Sequence, residues 1–436
     1  MLKMLQQALR VKDIRRRLLF TFLMMLVMRF GSQLPVPGTD PSYLSSVFSG
    51  ETGDAFNFLS ALTGGSFESF SILALSITPY ITASIIIELL TIAIPALEEM
   101  QKDGQEGRKK MQRITRYVTV GLSLIQSTAM AIGFGRQGLL TDYTWYNVIV
   151  VIVCLTCGSA FLMWLGERIT DKGIGNGISI VLLINIISRL PDDVVTIYDT
   201  FMSGRTVAVQ VVVAVFIIAI LALIVAYNVV LNDAERRIPV QYAQKVVGRR
   251  SYGGRSTYIP IKVCTANVIP VIFASSIMSM PVMIASFFDV DYNTFGGWIL
   301  HMLSSSYWFR PSMWSYSIGA VIYILLVIMF AYFYTNITFN PLEVADNMKK
   351  SGGFIPGIRP GKPTSDYLSD VLSHVIFIGA VGLVIACVFP MVVTGIGNIS
   401  SLSLLGTSLI IIVGVILETL QQINGRMIDR QYDSIF

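Results

Sequence analysis

The chain has 436 residues, of which 53% are hydrophobic and 14% are charged, and its mean hydropathy is +0.66. This composition excludes an ordinary soluble domain and indicates a polytopic membrane protein. Lys and Arg outnumber Asp and Glu by 32 to 27. The placement of these cations matters more than their excess, because basic residues collect in cytoplasmic loops.

The chain opens with a basic amphipathic segment, 1–17, which leads into a first predicted span, 18–35. The six cations of this segment place the N-terminus in the cytoplasm. No small-residue cleavage site follows the first apolar run, so we expect no cleavable signal peptide.

The second hydrophobic segment is broken, and we expect the rest of the chain to surround it. A semi-polar stretch of about ten residues, 56–66, ends near Gly64-Gly65 and precedes a strongly apolar stretch, 72–94. A spanning helix needs roughly twenty apolar residues, so the first piece is too short to cross a bilayer. The residues alone leave two interpretations open: a re-entrant half-helix that lines a central cavity, or an ordinary turn in an external loop.

Eight further apolar runs bring the predicted number of spans to ten. The fifth span is short and follows Gly173-Ile-Gly-Asn-Gly177, so its start is expected to be unwound or buried against other helices. Two long basic loops, 231–262 and 340–370, fall on the cytoplasmic side, and the first has the alternating pattern of a protruding β-hairpin. This topology places 27 of the 32 cations inside. Spans three to ten are predicted at 117–134, 147–166, 177–190, 207–230, 263–288, 314–335, 371–393 and 402–420.

An internal echo divides the chain into two halves, 1–190 and 191–436. Span two and span seven both fit the pattern P-x-I-x-A-S-x-I, starting at Pro79 and Pro270. Five spans per half give the halves opposite orientations, which is the layout of an inverted repeat. The small Ala-Ser pairs allow neighbouring helices to approach closely.

Seven segments, spread from the first span to the tail, form a specific set of motifs. They are GSQLPVPG at 31–38, TPYITASI at 78–85, FLMWLGE at 161–167, GIGNGIS at 173–179, VIPVIFAS at 268–275, NPLEVADNMKK at 340–350 and PGIRPG at 356–361. Together they resemble the SecY family, the channel subunits of the bacterial Sec protein translocase. The resemblance implies an all-α membrane protein of ten helices in two inverted halves around a central pore, with a re-entrant plug. It implies a channel that passes unfolded polypeptides across the cytoplasmic membrane and releases transmembrane segments sideways into it.

The same resemblance implies roles for particular residues. The pore ring falls on Ile77, Ile81, Ile178, Leu182, Ile272 and Ile411. The plug contains Phe56, Asn57, Phe58, Leu59, Leu62, Gly64 and Gly65. The lateral gate, the seam between spans two, three, seven and eight, includes Thr82, Gln126, Asn267 and Met280.

Two neighbouring positions depart from the family pattern. Cys264 stands where the family usually has Asn, and Asn267 stands where it usually has Gly. We expect Asn267, one helical turn further along the same face, to take the polar role opposite Gln126.

The resemblance also implies several partners, some at the membrane surface and some within the membrane. Arg249, Arg250 and Arg359 in the cytoplasmic loops are expected to contact the SecA ATPase or the ribosome. Small SecE-like and SecG-like membrane subunits, signal peptides and the lipid bilayer complete the expected partners. Both chain termini are expected in the cytoplasm, and no cofactor or metal is expected.

Other classes of function have weaker support in the residues. Glu88 and Glu418 lie within predicted spans, as the carboxylates of a proton-coupled secondary transporter would. Such a transporter rarely needs two basic cytoplasmic loops. An intramembrane acyltransferase is disfavoured because His301 and His374 lie near span ends without a partner acid. The sequence also lacks the Walker-type loop that an ATPase would need. The CxxC at Cys154 lies in an apolar run and indicates packing rather than metal binding.

Overall fold

The computed structural model describes residues 10–40, 63–242, 245–247, 250–252, 256–265, 267–285, 294–310, 314–396 and 407–433. Thirteen α-helices and five short strands account for most of these residues. The helices are α1 Lys12–Gly31, α2 Thr78–Ala93, α3 Pro95–Lys102, α4 Gly104–Phe134, α5 Trp145–Lys172, α6 Gly177–Phe201, α7 Val207–Asp233, α8 Ile269–Ala285, α9 Phe295–Leu303, α10 Ile318–Thr338, α11 Pro341–Lys350, α12 Lys362–Ile396 and α13 Ser408–Asp433. The strands are β1 Glu235–Tyr242, β2 Lys245–Val247, β3 Arg250–Tyr252, β4 Ser256–Lys262 and β5 Gly353–Phe354.

The protein is a multi-pass membrane protein. By length and composition, six helices among the described residues can cross a membrane, or seven if α2 and α3 count as one span bent by 108°. Each of the ten predicted spans overlaps a described helix, but α1, α6 and α8 do not meet this criterion. The count of ten therefore stays a prediction.

The second predicted span begins later than its hydropathy suggests. Residues 72–77 form turns, and the helix starts at Thr78 with Pro79 in its first turn, where a missing backbone N–H costs no hydrogen bond. Ser76 in these turns has a φ of 50°, which a helix does not accept. The apolar stretch 72–94 is thus a turn followed by a shorter helix.

Helix α6 is regular from its first residue, so of the two expected alternatives for its start the unwound one is excluded. The Asn176 side chain caps it by accepting a hydrogen bond from Ile178 N at 3.1 Å. The helix also continues past Leu190, through Pro191, to Phe201. The expected boundary between the halves at 190 and 191 therefore falls inside a helix, although the division into two halves stays a prediction.

The turn before α6 is held by three other helices. Ile174 N donates to Thr21 Oγ1 of α1 at 3.2 Å, and Gly175 N donates to Gln422 Oε1 of α13 at 3.0 Å. Gly177 packs so closely on α5 that an added Cβ would lie 1.8 Å from Gly166 O. The expectation that this region is buried against other helices is confirmed, and the turn links the first, fifth and last helices.

The hairpin predicted for the first basic loop is confirmed, and it is part of a larger unit. Strand β1 pairs with β4 in antiparallel register, and β5 of the second loop pairs with the other edge of β1. Apolar side chains from both loops share a hydrophobic cluster that includes Ile238, Ile261, Met348 and Leu368. The second loop is largely helical, because α11 occupies its first part and α12 begins at Lys362 rather than near residue 371.

Candidate functional site

The six pore-ring candidates belong to one hydrophobic cluster. Ile77 and Ile81 lie at the start of α2, and Ile77, Ile81, Leu182 and Ile411 are buried, with exposures of 7% or less. Ile178 and Ile272 are half-buried and pack against the same cluster. We call these six side chains from α2, α6, α8 and α13 the collar. Side chains from segments that are distant in the sequence thus belong to one apolar cluster.

The collar carries no charge and no hydrogen-bonding side chain. Residues four apart on a helix share a face, so Ile178 and Leu182 of α6 present paired apolar side chains, whereas Ile77 is the N-cap residue that precedes α2 and Ile81 lies in its first turn. At a constriction, such side chains would bind no ion or polar group strongly and would exclude water when nothing fills it. They therefore suit a seal rather than a filter.

The predicted plug lies mostly outside the described residues. Phe56, Asn57, Phe58, Leu59 and Leu62 are not among them, so the choice between a half-helix and a surface turn stays open. Gly64 and Gly65 are described, with φ angles of 65° and 81° in the left-handed region that favours glycine.

The carbonyl of Gly64 marks where this segment is fixed to the helix bundle. It accepts a hydrogen bond from Arg29 Nη1 of α1 at 3.2 Å, and it lies 3.4 Å from Ser188 Oγ of α6, whose single hydroxyl proton is donated mainly to Asn185 O at 2.7 Å. A Cβ at Gly64 would lie 2.8 Å from the backbone of Asn185. We call residues 63–71 the plug foot.

The seam predicted as a lateral gate brings α2 into contact with α8 and α4. Ala83 of α2 and Ala274 of α8, the alanines of the repeated pattern, are both fully buried. Thr82 and Met280 are half-buried, and Gln126 of α4 is buried without a hydrogen-bond partner for its Oε1 among the described residues. Small and flexible side chains suit helices that must separate.

Asn267 does not lie where we expected it. Cys264 and Asn267 both occupy the turn before α8, where Asn267 N donates to Cys264 O at 3.2 Å and Asn267 has a φ of 50°. The expectation of one helical turn along the same face is therefore wrong. The Asn267 side chain instead faces α13, because a Cβ added at Gly414 would lie 2.9 Å from its Oδ1. A gate role opposite Gln126 stays a prediction.

The candidate docking arginines are only partly visible. Arg359 follows β5 in the second basic loop and is exposed to solvent. Arg250 begins β3, only its backbone is described, and Arg249 lies outside the described residues. The sheet that joins the two loops was not predicted, because a two-residue strand leaves no signal in a sequence.

The intramembrane carboxylates sit apart from the collar. Glu88, near the end of α2, is half-buried and its Oε2 has no hydrogen-bond partner among the described residues. Tyr334 of α10 lies within electrostatic range of both Glu88 and Glu418. Within the described part of the chain, no group of three or more His, Cys, Asp or Glu side chains could hold a metal ion.

Comparison with known proteins decides the family. The SecY family model matches residues 71–420 of the chain. The protein translocase subunit SecY of Streptomyces galbus is 42% identical over 447 residues, with 99% of each chain covered. The chain belongs to the SecY family. A secondary transporter is accordingly not favoured.

Two solved structures show that SecY-family folds match this one. The first is of a SecY protein whose plug domain is described as stabilising the closed state of the translocation channel and maintaining a membrane seal. It aligns with a TM-score of 0.63 and 18% identity, over 94% of this chain and 92% of that one. The second, Sec61 in the canine ribosome–channel complex, aligns with a TM-score of 0.61 and 17% identity over the same shares. At these identities the likeness concerns the fold alone.

Proposed function

We propose that this chain is the channel subunit of a protein translocase. It conducts unfolded polypeptides across the cytoplasmic membrane and releases transmembrane segments laterally through the seam between α2 and α8. The observation that carries the proposal is the collar: six apolar side chains from four helices in one cluster, within a chain that matches SecY relatives from end to end.

The collar suits a substrate of unrestricted sequence. A fixed charge at the narrowest point would trap residues of the opposite sign, whereas apolar side chains bind nothing strongly. They pack around a passing chain and close again when it has left. The plug then adds to the seal.

Partner proteins supply the energy for transport and complete the translocase complex. The sequence carries no Walker-type loop, so we assign no enzymatic activity to the chain. Exposed Arg359, with Arg249 and Arg250, supplies guanidinium groups that engage the carboxylates or phosphates of a SecA-type ATPase or a ribosome. SecE-like and SecG-like subunits pack against the outside of the bundle.

The two halves of the channel meet around the pore. Because α6 extends to Phe201, we place their connection in the short segment before Val207, where α7 begins. Opening of the seam then corresponds to a rotation of the helices before this segment relative to those after it. We assign both termini to the cytoplasm, because basic residues collect on that side of the membrane.

Reconstitution tests the function. Purified complex in lipid vesicles, supplied with a SecA-type ATPase and ATP, should import a signal-bearing precursor and protect it from added protease. Omission of ATP is the control for passive adhesion. Vesicles that move protons or small solutes against a gradient but never protect a precursor would overturn the proposal.

A further inference from the structure

Helix α9 is apolar but too short to cross a membrane. Its nine residues, Phe295–Leu303, include no Asp, Glu, Lys or Arg. At 1.5 Å per residue the helix is about 14 Å long, which is less than half of the hydrocarbon core of a bilayer. It must therefore cover its apolar side chains in some other way than by spanning.

The position of α9 follows from the two helices on either side of it. Helix α8 follows β4 and ends before α9, and α10 leads from α9 back to α11 and β5. Helix α10 belongs to a segment that is long and apolar enough to cross a membrane, and its 21 residues are about 32 Å long. Helix α9 therefore lies at the membrane face opposite the sheet of β1, β4 and β5.

Polar and close contacts attach α9 to the helix bundle. Trp308 is 2% exposed, donates its Nε1–H to Met302 O at 2.8 Å, and packs its ring 5.5 Å from that of Tyr323 of α10. A Cβ added at Gly319, in the first turn of α10, would collide with Met302 O. Helix α9 also contacts α8. The short helix thus joins the ends of α8 and α10.

Aromatic rings surround α9. Phe295 and Trp298 stack with 6.0 Å between their ring centroids, and Trp298 lies 6.4 Å from Tyr316. His301 packs edge-on against Tyr307 at 4.4 Å. We call these five side chains the aromatic cluster. Trp and Tyr concentrate where membrane meets water, because each combines an apolar ring with a polar N–H or O–H group.

One edge of the cluster is open and continues the exposed surface of α10. Phe295 is 74% exposed, and Trp314, in the short helical turn that contacts α9 and leads into α10, is 66% exposed. Ile318, Leu325 and Met329 are exposed on one face of α10. On a helix that crosses a membrane, an exposed apolar face meets lipid. The open edge of the cluster therefore continues the lipid-facing surface.

Arg310 adds a positive charge beside these rings. Its guanidinium carbon lies 5.2 Å from the centre of the Tyr307 ring, and its side chain is half-buried. Arginine side chains near the end of a span extend toward the headgroups, and guanidinium groups pair well with phosphate oxygens. An apolar edge next to a cation matches a phospholipid, which presents a phosphate group above its acyl chains.

We propose that α9 and the aromatic cluster form an interfacial anchor that binds the phospholipid headgroup region of the leaflet opposite the sheet. Phe295, Trp298 and Trp314 enter the boundary between headgroups and acyl chains. Because α9 is attached to both α8 and α10, the anchor fixes the depth of these two helices on one side of the seam. This inference goes beyond the proposed function and requires only that the chain crosses a membrane.

Depth-dependent quenching of tryptophan fluorescence tests the anchor. The purified complex, with Trp298 as its single tryptophan, is placed in vesicles of phosphatidylcholine that carries bromine atoms either near the headgroup or near the chain ends. Shallow bromines should quench Trp298 roughly two- to threefold more strongly than deep ones, because an interfacial helix lies only about 5–10 Å below the headgroup boundary.

Two further single-tryptophan proteins provide the controls. Trp308 alone should be quenched by neither lipid, because it is buried. Met329→Trp, on the exposed face in the middle of α10, should be quenched mainly by the deep bromines. If replacing Trp308 prevents folding, the same quantity is the difference in quenched emission between the otherwise native protein and its Trp298→Phe variant.

The outcomes separate the anchor from the channel. Quenching of Trp298 as weak as that of Trp308 would overturn the anchor, and quenching mainly by deep bromines would overturn its interfacial position. Phe295→Asp should roughly halve the shallow quenching, because a carboxylate resists entry into the membrane, and unchanged quenching would contradict the anchor. Precursor import is measured on the same vesicles, so a protein that fails to import but keeps the shallow quenching would count against the proposed function alone.

Discussion

Asn185 Nδ2 of α6 donates a hydrogen bond to Ser76 Oγ at 3.0 Å, and both side chains are buried. Ser76 has a φ of 50° and directly precedes Ile77, the collar residue at the N-cap of α2. This bond therefore fixes the turn from which α2 starts, and it couples the two helices that supply four of the six collar side chains.

Removal of this bond should destabilise the protein. Asn185→Ala should lower the free energy of unfolding by about 1–3 kcal/mol, because a buried hydroxyl loses its partner. Thermal unfolding of the purified protein in detergent measures the effect. Ser76→Ala and the double variant complete a cycle, and a double loss equal to the sum of the two single losses would show that the pair is not coupled.

Serine in the collar should make the resting channel leak. A variant with Ile81, Leu182 and Ile411 all replaced by Ser should conduct ions in planar bilayers, since hydroxyl groups retain water in the constriction. Single Ile→Val changes should be silent, because they keep the surface apolar. The matched control replaces Val212, Val215 and Ile218 by Ser on the exposed face of α7. A triple collar variant as tight as wild type would place the barrier elsewhere.

Cysteines across the seam should cross-link. With the native cysteines replaced, Thr82→Cys and Met280→Cys should form a disulfide under mild oxidation if the two backbones come within about 7 Å. The locked protein should stop precursor import, and reductant should restore it. Quantitative cross-linking with unchanged import would remove the gate from this position.

Reversal of the charge at Arg359 should uncouple the channel from its motor. Arg359→Glu should abolish ATP-driven import, because a carboxylate repels the acidic partner that a guanidinium binds. The thermal midpoint should stay near that of wild type, since the side chain is exposed. Arg136→Glu, at an exposed arginine after α4, is the control, and normal import by the Arg359 variant would contradict the docking role.

Close packing at Gly158 should tolerate no side chain. A Cβ there would lie 2.0 Å from the carbonyl oxygen of Ile72, so Gly158→Ala must push α5 away from the turns before α2. We expect a loss of about 1–3 kcal/mol in the free energy of unfolding. Gly121→Ala in α4, where an added Cβ meets nothing within 4 Å, should cost nothing measurable. Equal unfolding midpoints for the two variants would contradict this packing.

Hydropathy predicted where most helices lie but not how far they extend. It registers only apolar residues, so it ended the fifth span at Leu190 and began the ninth near residue 371. The structure continues α6 through Pro191 to Phe201 and begins α12 at Lys362, because polar residues continue a helix as readily as apolar ones once it has started.

Contacts between distant segments could not be predicted from the sequence. The pairing of β5 with β1 depends on two residues more than a hundred positions away. Glu68 and Arg189 are visible as charges, but nothing in a single sequence places them together. Asn267 shows the converse failure, because helical spacing was assumed where the chain makes a turn. Arg29 did carry a signal, as an isolated cation in an apolar run.

The collar also has a consequence for biosynthesis. Ile77 and Ile411 share one cluster although more than three hundred residues separate them along the chain. During translation the early helices are therefore synthesised well before α13, which supplies the last collar side chain. A nascent chain that stops before α13 contains the plug foot and the helices of the seam, but it lacks the last helix of the collar. Premature termination before α13 thus leaves the collar without one of its six side chains.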